Sequence, residues 1–124
     1  MKQKVHSVSY LAKAEFELNN GAYDLVALPA GAEVVKVSLE VVGNPTDGTI
    51  DVGFRDEKDE STRDYFLTSD STLLVNKTAT STKDYTATIN KVIVAVVRSV
   101  SSNNGAKGVL RVLYFLPSVI EVEY

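Results

Sequence analysis

The sequence holds no cysteine and no tryptophan, one histidine, one methionine and three prolines among 124 residues. Without cysteine there are no disulfides, no thiolate nucleophile and no cysteine-ligated metal. Without tryptophan, the stacking platform common in carbohydrate sites is missing. With His6 alone, neither a multi-histidine metal site nor a Ser-His-Asp arrangement has a second histidine to draw on. His6 reads more simply as a strand-edge or interface residue. Long apolar runs are lacking too. The longest, Val92 to Val97, is far short of a membrane span, and Met1 to His6 carries no leader-like apolar core. A soluble chain with no membrane partner is expected. The charge balance is −3 and the basic residues are scattered. No face gathers the Lys and Arg that release counterions from a phosphate backbone, so no nucleic-acid partner is expected.

What is present is a hydrophobic period of two, the pattern of half-buried strands. His6, Val8, Tyr10, Ala12, Ala14, Phe16 and Leu18 form one face of the first long strand. Ser7, Ser9, Lys13, Glu15 and Glu17 lie on the other. Asn19-Asn20-Gly21 supplies a turn. Tyr23 to Leu28 is extended and ends at Pro29-Ala30-Gly31. Val35, Val37, Leu39 and Val41 then form an apolar strand face. Gly43 to Gly48 reads as a hairpin loop, with Ile50, Val52 and Phe54 on the returning strand. Tyr65 to Leu67, Thr72 to Val75 and Tyr85 to Ile89 are short strands or connectors. Asn76 to Thr82 is a polar surface stretch. Val92 to Val97 and Val109 to Leu116 are apolar on both faces, joined by a hairpin loop from Ser101 to Gly108. Pro117 ends the last strand.

Seven to nine short antiparallel strands with Gly, Pro and Asn turns predict an all-β domain, a β-sandwich or jelly roll. With 44% hydrophobic and 23% charged residues, the chain has the composition of a single globular domain, residues 1–124. Residues 1–9 are a candidate N-terminal arm.

Three motifs carry a chemical reading and each has a plainer one. Asp56, Glu57, Asp59 and Glu60 suggest calcium, but Lys58 interrupts them and the central glycine of an EF-hand loop is absent; a solvated loop is expected. Gly105 and Gly108 suggest a phosphate loop, but they join two strands instead of a strand and a helix. Paired carboxylates for glycoside hydrolysis have no sequence signature to support them. No catalytic residue, cofactor or metal is expected.

The doubly apolar strands carry the main functional signal. In a two-layer sandwich each strand should have one wet face. Covering both faces calls for a loop or another subunit. Val92, Val94, Val96, Val109, Leu113 and Phe115 are therefore the candidate interface residues of a homo-oligomer.

The order of three motifs adds a family likeness. Leu28-Pro29-Ala30-Gly31-Ala32-Glu33-Val34-Val35 opens a Val/Leu strand, and Thr49-Ile50-Asp51-Val52-Gly53-Phe54 follows. The C-terminal segment Val92 to Leu116 contains Gly105, Gly108 and Tyr114. From Tyr23 to Leu116 the chain resembles small tailed-bacteriophage virion proteins encoded near the major capsid gene. The resemblance implies a non-enzymatic virion structural protein, made in the bacterial host cytoplasm, with a capsid decoration or head-associated role. Its implied partners are the major capsid protein or other virion proteins, and its own copies as a trimer suited to local three-fold points. The alternative is a carbohydrate- or receptor-binding sandwich of a tail fibre or adhesin, with Tyr23, Tyr65 and Tyr85 exposed in loops.

Overall fold

Turn residues mark where this chain reverses, and the structure shows what each reversal joins. The computed structural model describes residues 2–6, 9–55, 64–68, 78–116 and 119–123. Ten strands occur among them: β1 (Lys2–His6), β2 (Ser9–Glu17), β3 (Gly21–Leu28), β4 (Glu33–Val42), β5 (Thr49–Phe54), β6 (Thr78–Ser81), β7 (Tyr85–Thr86), β8 (Lys91–Arg98), β9 (Lys107–Phe115) and β10 (Val119–Glu123). A five-stranded sheet runs β2-β9-β4-β6, with β7 also paired to β4. A three-stranded sheet runs β3-β8-β5, and β1 pairs with β10 in a separate ribbon. Every pairing is antiparallel.

The two larger sheets face each other as a β-sandwich, the architecture expected from the period of two. Phe16, Val37 and Leu110 of the larger sheet share one core with Ile50, Val52 and Ile93 of the smaller. Leu18, Leu28, Ile50, Ile93 and Leu110 have essentially no exposure. Each such aliphatic side chain contributes about 1.5–3 kcal/mol through burial. The even-numbered face of β2 points inward as expected, with Phe16 and Leu18 buried and Ala12 and Ala14 packed against the core.

The loops expected to be hairpins are not hairpins. β4 lies in the larger sheet and β5 in the smaller, so Gly43 to Gly48 arches from one sheet to the other. The same holds for β8 and β9, joined by residues 99–106. β2, β3, β4 and β5 alternate between the sheets without exception. A turn motif fixes a reversal of direction, not the plane in which the chain returns. This also accounts for the doubly apolar strands. β8 is flanked by β3 and β5, and β9 by β2 and β4, so each is the central strand of its sheet.

Two further expectations shift. A register irregularity between Val34 and Lys36 places Val34 in the core and leaves Val35 half-buried. Within the polar stretch 76–82, Thr78–Ser81 pairs with Val37 to Glu40 as a strand, and Ser81 is buried. The stretch Thr72 to Val75, the acidic run Asp56 to Glu60 and Pro117 lie outside the described residues.

Asparagines stitch together the end of the sandwich where the arches meet. Thr46 N donates to Ser102 O (2.7 Å) and Ser101 N to Thr46 O (3.0 Å). Asn104 Nδ2 donates to Asn44 O (2.8 Å), and Asn103 Nδ2 to Asn19 Oδ1 (2.7 Å). Asn104 holds φ at 50°, a left-handed value that asparagine tolerates better than most residues. At the opposite end Gly31 N donates to Ala87 O, Ala87 N to Ala32 O, and Ala30 N to Asn90 Oδ1.

Candidate assembly surface

β2, β9 and β4 display their outward side chains in register, so the surface can be read row by row. Nearest the ribbon end, Ser9, Phe115 and Glu33 are in line, followed by Leu11, Leu113 and Lys36. Lys13, Arg111 and Ser38 come next, then Glu15, Val109 and Glu40. The apolar side chains therefore gather at the ribbon end and the charges toward the middle. Leu11 is 63% exposed. With Leu113, Lys36, Ser38 and Arg111 it lines a shallow cleft of about 280 Å³. Arg111 Nη1 lies 3.2 Å from Glu40 Oε1, and Lys13 Nζ 3.9 Å from Glu15 Oε1. These exposed pairs organise the face and add little to stability.

The reverse face of the same strand end is also apolar. Tyr10 stacks on its cross-strand neighbour Tyr114, with ring centroids 5.8 Å apart and planes 19° apart. Tyr10 is 47% exposed. At this end, then, β2 and β9 present apolar side chains to both sides, where a two-layer sandwich should show one wet face. Beyond it lies the β1–β10 ribbon. Lys2 pairs with Glu123 and His6 with Val119.

The six candidate interface residues separate into two groups. Val94, Val96 and Val109 are buried within the chain. Val94 lies opposite Asp24 and Gly53, and Val96 opposite Ala22 and Asp51, on the side of the smaller sheet away from the core. Val109 lies between Glu15 and Glu40. Val92, Leu113 and Phe115 are half-buried. Val92 borders a second cleft of about 420 Å³, formed with Ala27, Leu28, Pro29, Asn90 and Lys91. Tyr10 joins the surface with no signal in the sequence pattern, and Leu11 with one, as an apolar residue among the polar odd positions of its strand.

The three tyrosines considered for sugar stacking are used internally. Tyr65 and Tyr85 pack around Phe54, with centroids at 5.3 and 4.4 Å, and Phe66 completes the cluster at 5.2 Å. The Tyr65 hydroxyl donates to Asp84 O. Tyr23 packs on Phe16 at 5.3 Å, and its hydroxyl donates to Asn19 O. These rings need apolar neighbours, and the core edge provides them more cheaply than a loop tip.

Among the described residues, no three His, Asp or Glu side chains come together as a metal site. Asp51 is 6% exposed and bound by Arg98 at 2.5 Å, on the outward side of the smaller sheet, an arrangement that anchors β5 to β8.

No protein-family profile matches the chain, and no curated protein sequence matches it. Solved structures do. Over the full length of both chains it is 64% identical, with a TM-score of 0.84, to a chain of the acid-stable capsid of Helicobacter pylori bacteriophage KHP30. A chain of the cyanophage Pam1 capsid asymmetric unit is 20% identical with a TM-score of 0.64, covering 88% of this chain and 85% of that one. A chain of the Ralstonia phage GP4 capsid is 16% identical with a TM-score of 0.62, covering 90% and 86%. The last two show a shared fold.

Proposed function

The chain belongs to the phage capsid-protein family represented by the KHP30 shell chain and is a virion structural protein, and on that premise we propose that it is a non-enzymatic decoration protein that binds and stabilises the capsid lattice. The full-length identity of 64% with a chain of an assembled capsid carries this reading. The outward face of β2, β9 and β4 supports it. An apolar patch at Leu11, Leu113 and Phe115, rimmed by Lys36, Arg111 and Glu33, has the make-up of a protein-binding surface.

The assembly contacts we propose rest on Val92, Leu113 and Phe115, because Val94, Val96 and Val109 are already covered within the chain. The homo-oligomer we propose is a trimer, a closed ring that suits local three-fold positions of a shell. The N-terminal arm we propose contains β1, which pairs with β10 as a two-stranded ribbon. Two-stranded ribbons are marginal in water, so a neighbour in the assembly would hold this one.

The test uses shells of the major capsid protein assembled without this chain. Added chain should co-sediment with them and raise their melting temperature. Leu113→Glu, on an interior strand that no edge contact uses, should abolish co-sedimentation while leaving the circular dichroism spectrum unchanged. Shells that neither retain the chain nor gain stability from it would refute decoration.

A further inference from the structure

Sheet edges are liabilities that folds blunt with short strands, bulges or charge. Among the described residues, three of the four edges of the two larger sheets are blunted. β6 and β7 span four and two residues. β3 carries a register irregularity between Asp24 and Val26. The outer edge of β5 is met by Phe66 and Leu67, with Val52 N donating to Leu67 O and Phe66 N to Val52 O. β2 is different. Its nine residues pair with β9 from Ser9–Phe115 to Glu17–Lys107 without a break, and among the described residues nothing pairs with its other side.

The phase of that edge follows from one hydrogen bond. Leu18 N donates to Ala106 O at 3.3 Å, one step beyond the Glu17–Lys107 pair. In an antiparallel ladder, bonded and non-bonded residues alternate. Leu18, Phe16, Ala14 and Ala12 therefore direct their backbone groups toward β9. Leu11, Lys13, Glu15 and Glu17 direct theirs to the open side.

We propose that β2 pairs antiparallel with β2 of a second copy, about a two-fold axis at Ala14. In this register Lys13 faces Glu15 of the second copy and Glu15 faces its Lys13, so two opposite-charge pairs form. Leu11, 63% exposed in the isolated chain, faces the methylene stem of Glu17, and Ala14 faces Ala14. Moving the axis to Lys13 sets lysine against lysine, and moving it to Glu15 sets glutamate against glutamate. The side chains that discourage pairing with arbitrary strands therefore match their own copy in one register. A contact of this kind is isologous. It is distinct from the head-to-tail contacts of a cyclic trimer and independent of shell binding, and it can link neighbouring rings.

The absence of native cysteine allows a clean test on the full chain. Ala14 is in the bonded phase toward β9 and hence in the non-bonded phase toward the second copy, so two Ala14 side chains meet at the closer spacing of such pairs, within reach of a disulfide. Ala14→Cys should form a covalent dimer under mild oxidation, whereas Ala12→Cys and Leu11→Cys, which face other residues, should not. Independently, sedimentation over a concentration series should show Lys13→Glu and Glu15→Lys each weakening self-association about tenfold or more. The double reversal, which restores both pairs, should recover it. Failure of Ala14→Cys to cross-link, or single reversals that leave association unchanged, would overturn the proposal. So would protection of Ala14→Cys from alkylation only in the presence of shells, which would assign the edge to the capsid protein. Loss of shell binding with pairing intact would instead count against decoration alone.

Discussion

Replacing Gly108 with alanine sets two effects of opposite sign against each other, and the geometry decides between them. Alanine suits a strand better than glycine and loses less backbone freedom on folding, worth about 0.5–1 kcal/mol in its favour. Gly108, however, is the cross-strand partner of Phe16. A Cβ there would stand 2.4 and 2.6 Å from two ring atoms of Phe16, against about 3.5–4.0 Å for a comfortable carbon contact. The ring must move by more than an ångström. It is 8% exposed and packs on Tyr23 at 5.3 Å, so it has little room. Overpacking of this kind costs about 1–3 kcal/mol, and after the backbone gain a net loss of about 1 kcal/mol is expected. With an unfolding entropy of about 2.1 cal/mol/K per residue over the whole chain, that corresponds to a melting temperature lower by about 4 °C. Calorimetry at fixed protein concentration measures it. In a Phe16→Ala background the obstacle is gone, and Gly108→Ala should become neutral or stabilising, a coupling of about 2 kcal/mol or more. The same loss in both backgrounds would refute the reasoning.

Phe54→Ala should cost about 3–5 kcal/mol, because the ring is 3% exposed and contacts Tyr65, Phe66 and Tyr85. The near-ultraviolet circular dichroism of the tyrosines should fall with it, and a urea-derived loss below about 1 kcal/mol would show that the cluster is not a unit. At Asn104, the order of stability should be asparagine, then glycine, then alanine. Glycine keeps the backbone at φ 50° but loses the bonds to Asn44 O and Thr46 Oγ1, for about 1 kcal/mol, and alanine adds about 1–2 kcal/mol of left-handed strain. Urea midpoints check the order.

The strands were legible because burial on one face leaves a period of two. Phe16, Leu18, Ile50, Val52 and Phe54 sit in the core where that period places them. The arrangement of the strands was not legible, because Asn-Gly and Gly-Asn-Pro signals specify a reversal and carry no information about the plane of return. Val34 escaped the pattern for a related reason: one irregular residue in β4 inverts the phase of everything before it. The exposed apolar strand end proposed for assembly was only partly legible. Val92, Val94 and Val96 stood out as apolar, yet apolar on both faces describes a central strand as well as an interface. Parity places Tyr10 on the apolar face of β2, yet its ring is 47% exposed at the strand end. Leu11 broke the polar parity of its strand, and that break was the trace of the surface.

The alternation of consecutive strands between the two sheets has a consequence for how the chain is made. β3 and β5 both wait for β8, and β2 and β4 both wait for β9. The two strands that complete the body, β8 and β9, are the last of the sandwich strands to be synthesised. At about 5–20 residues per second, β2 spends on the order of 5–20 s without its partner, whereas a local hairpin closes in about 1–10 μs. Neither three-strand centre can therefore form until β8 and β9 have been synthesised. Until then β2 is a solvated segment whose Lys13, Glu15 and Glu17 discourage pairing with the apolar strands of other unfinished chains.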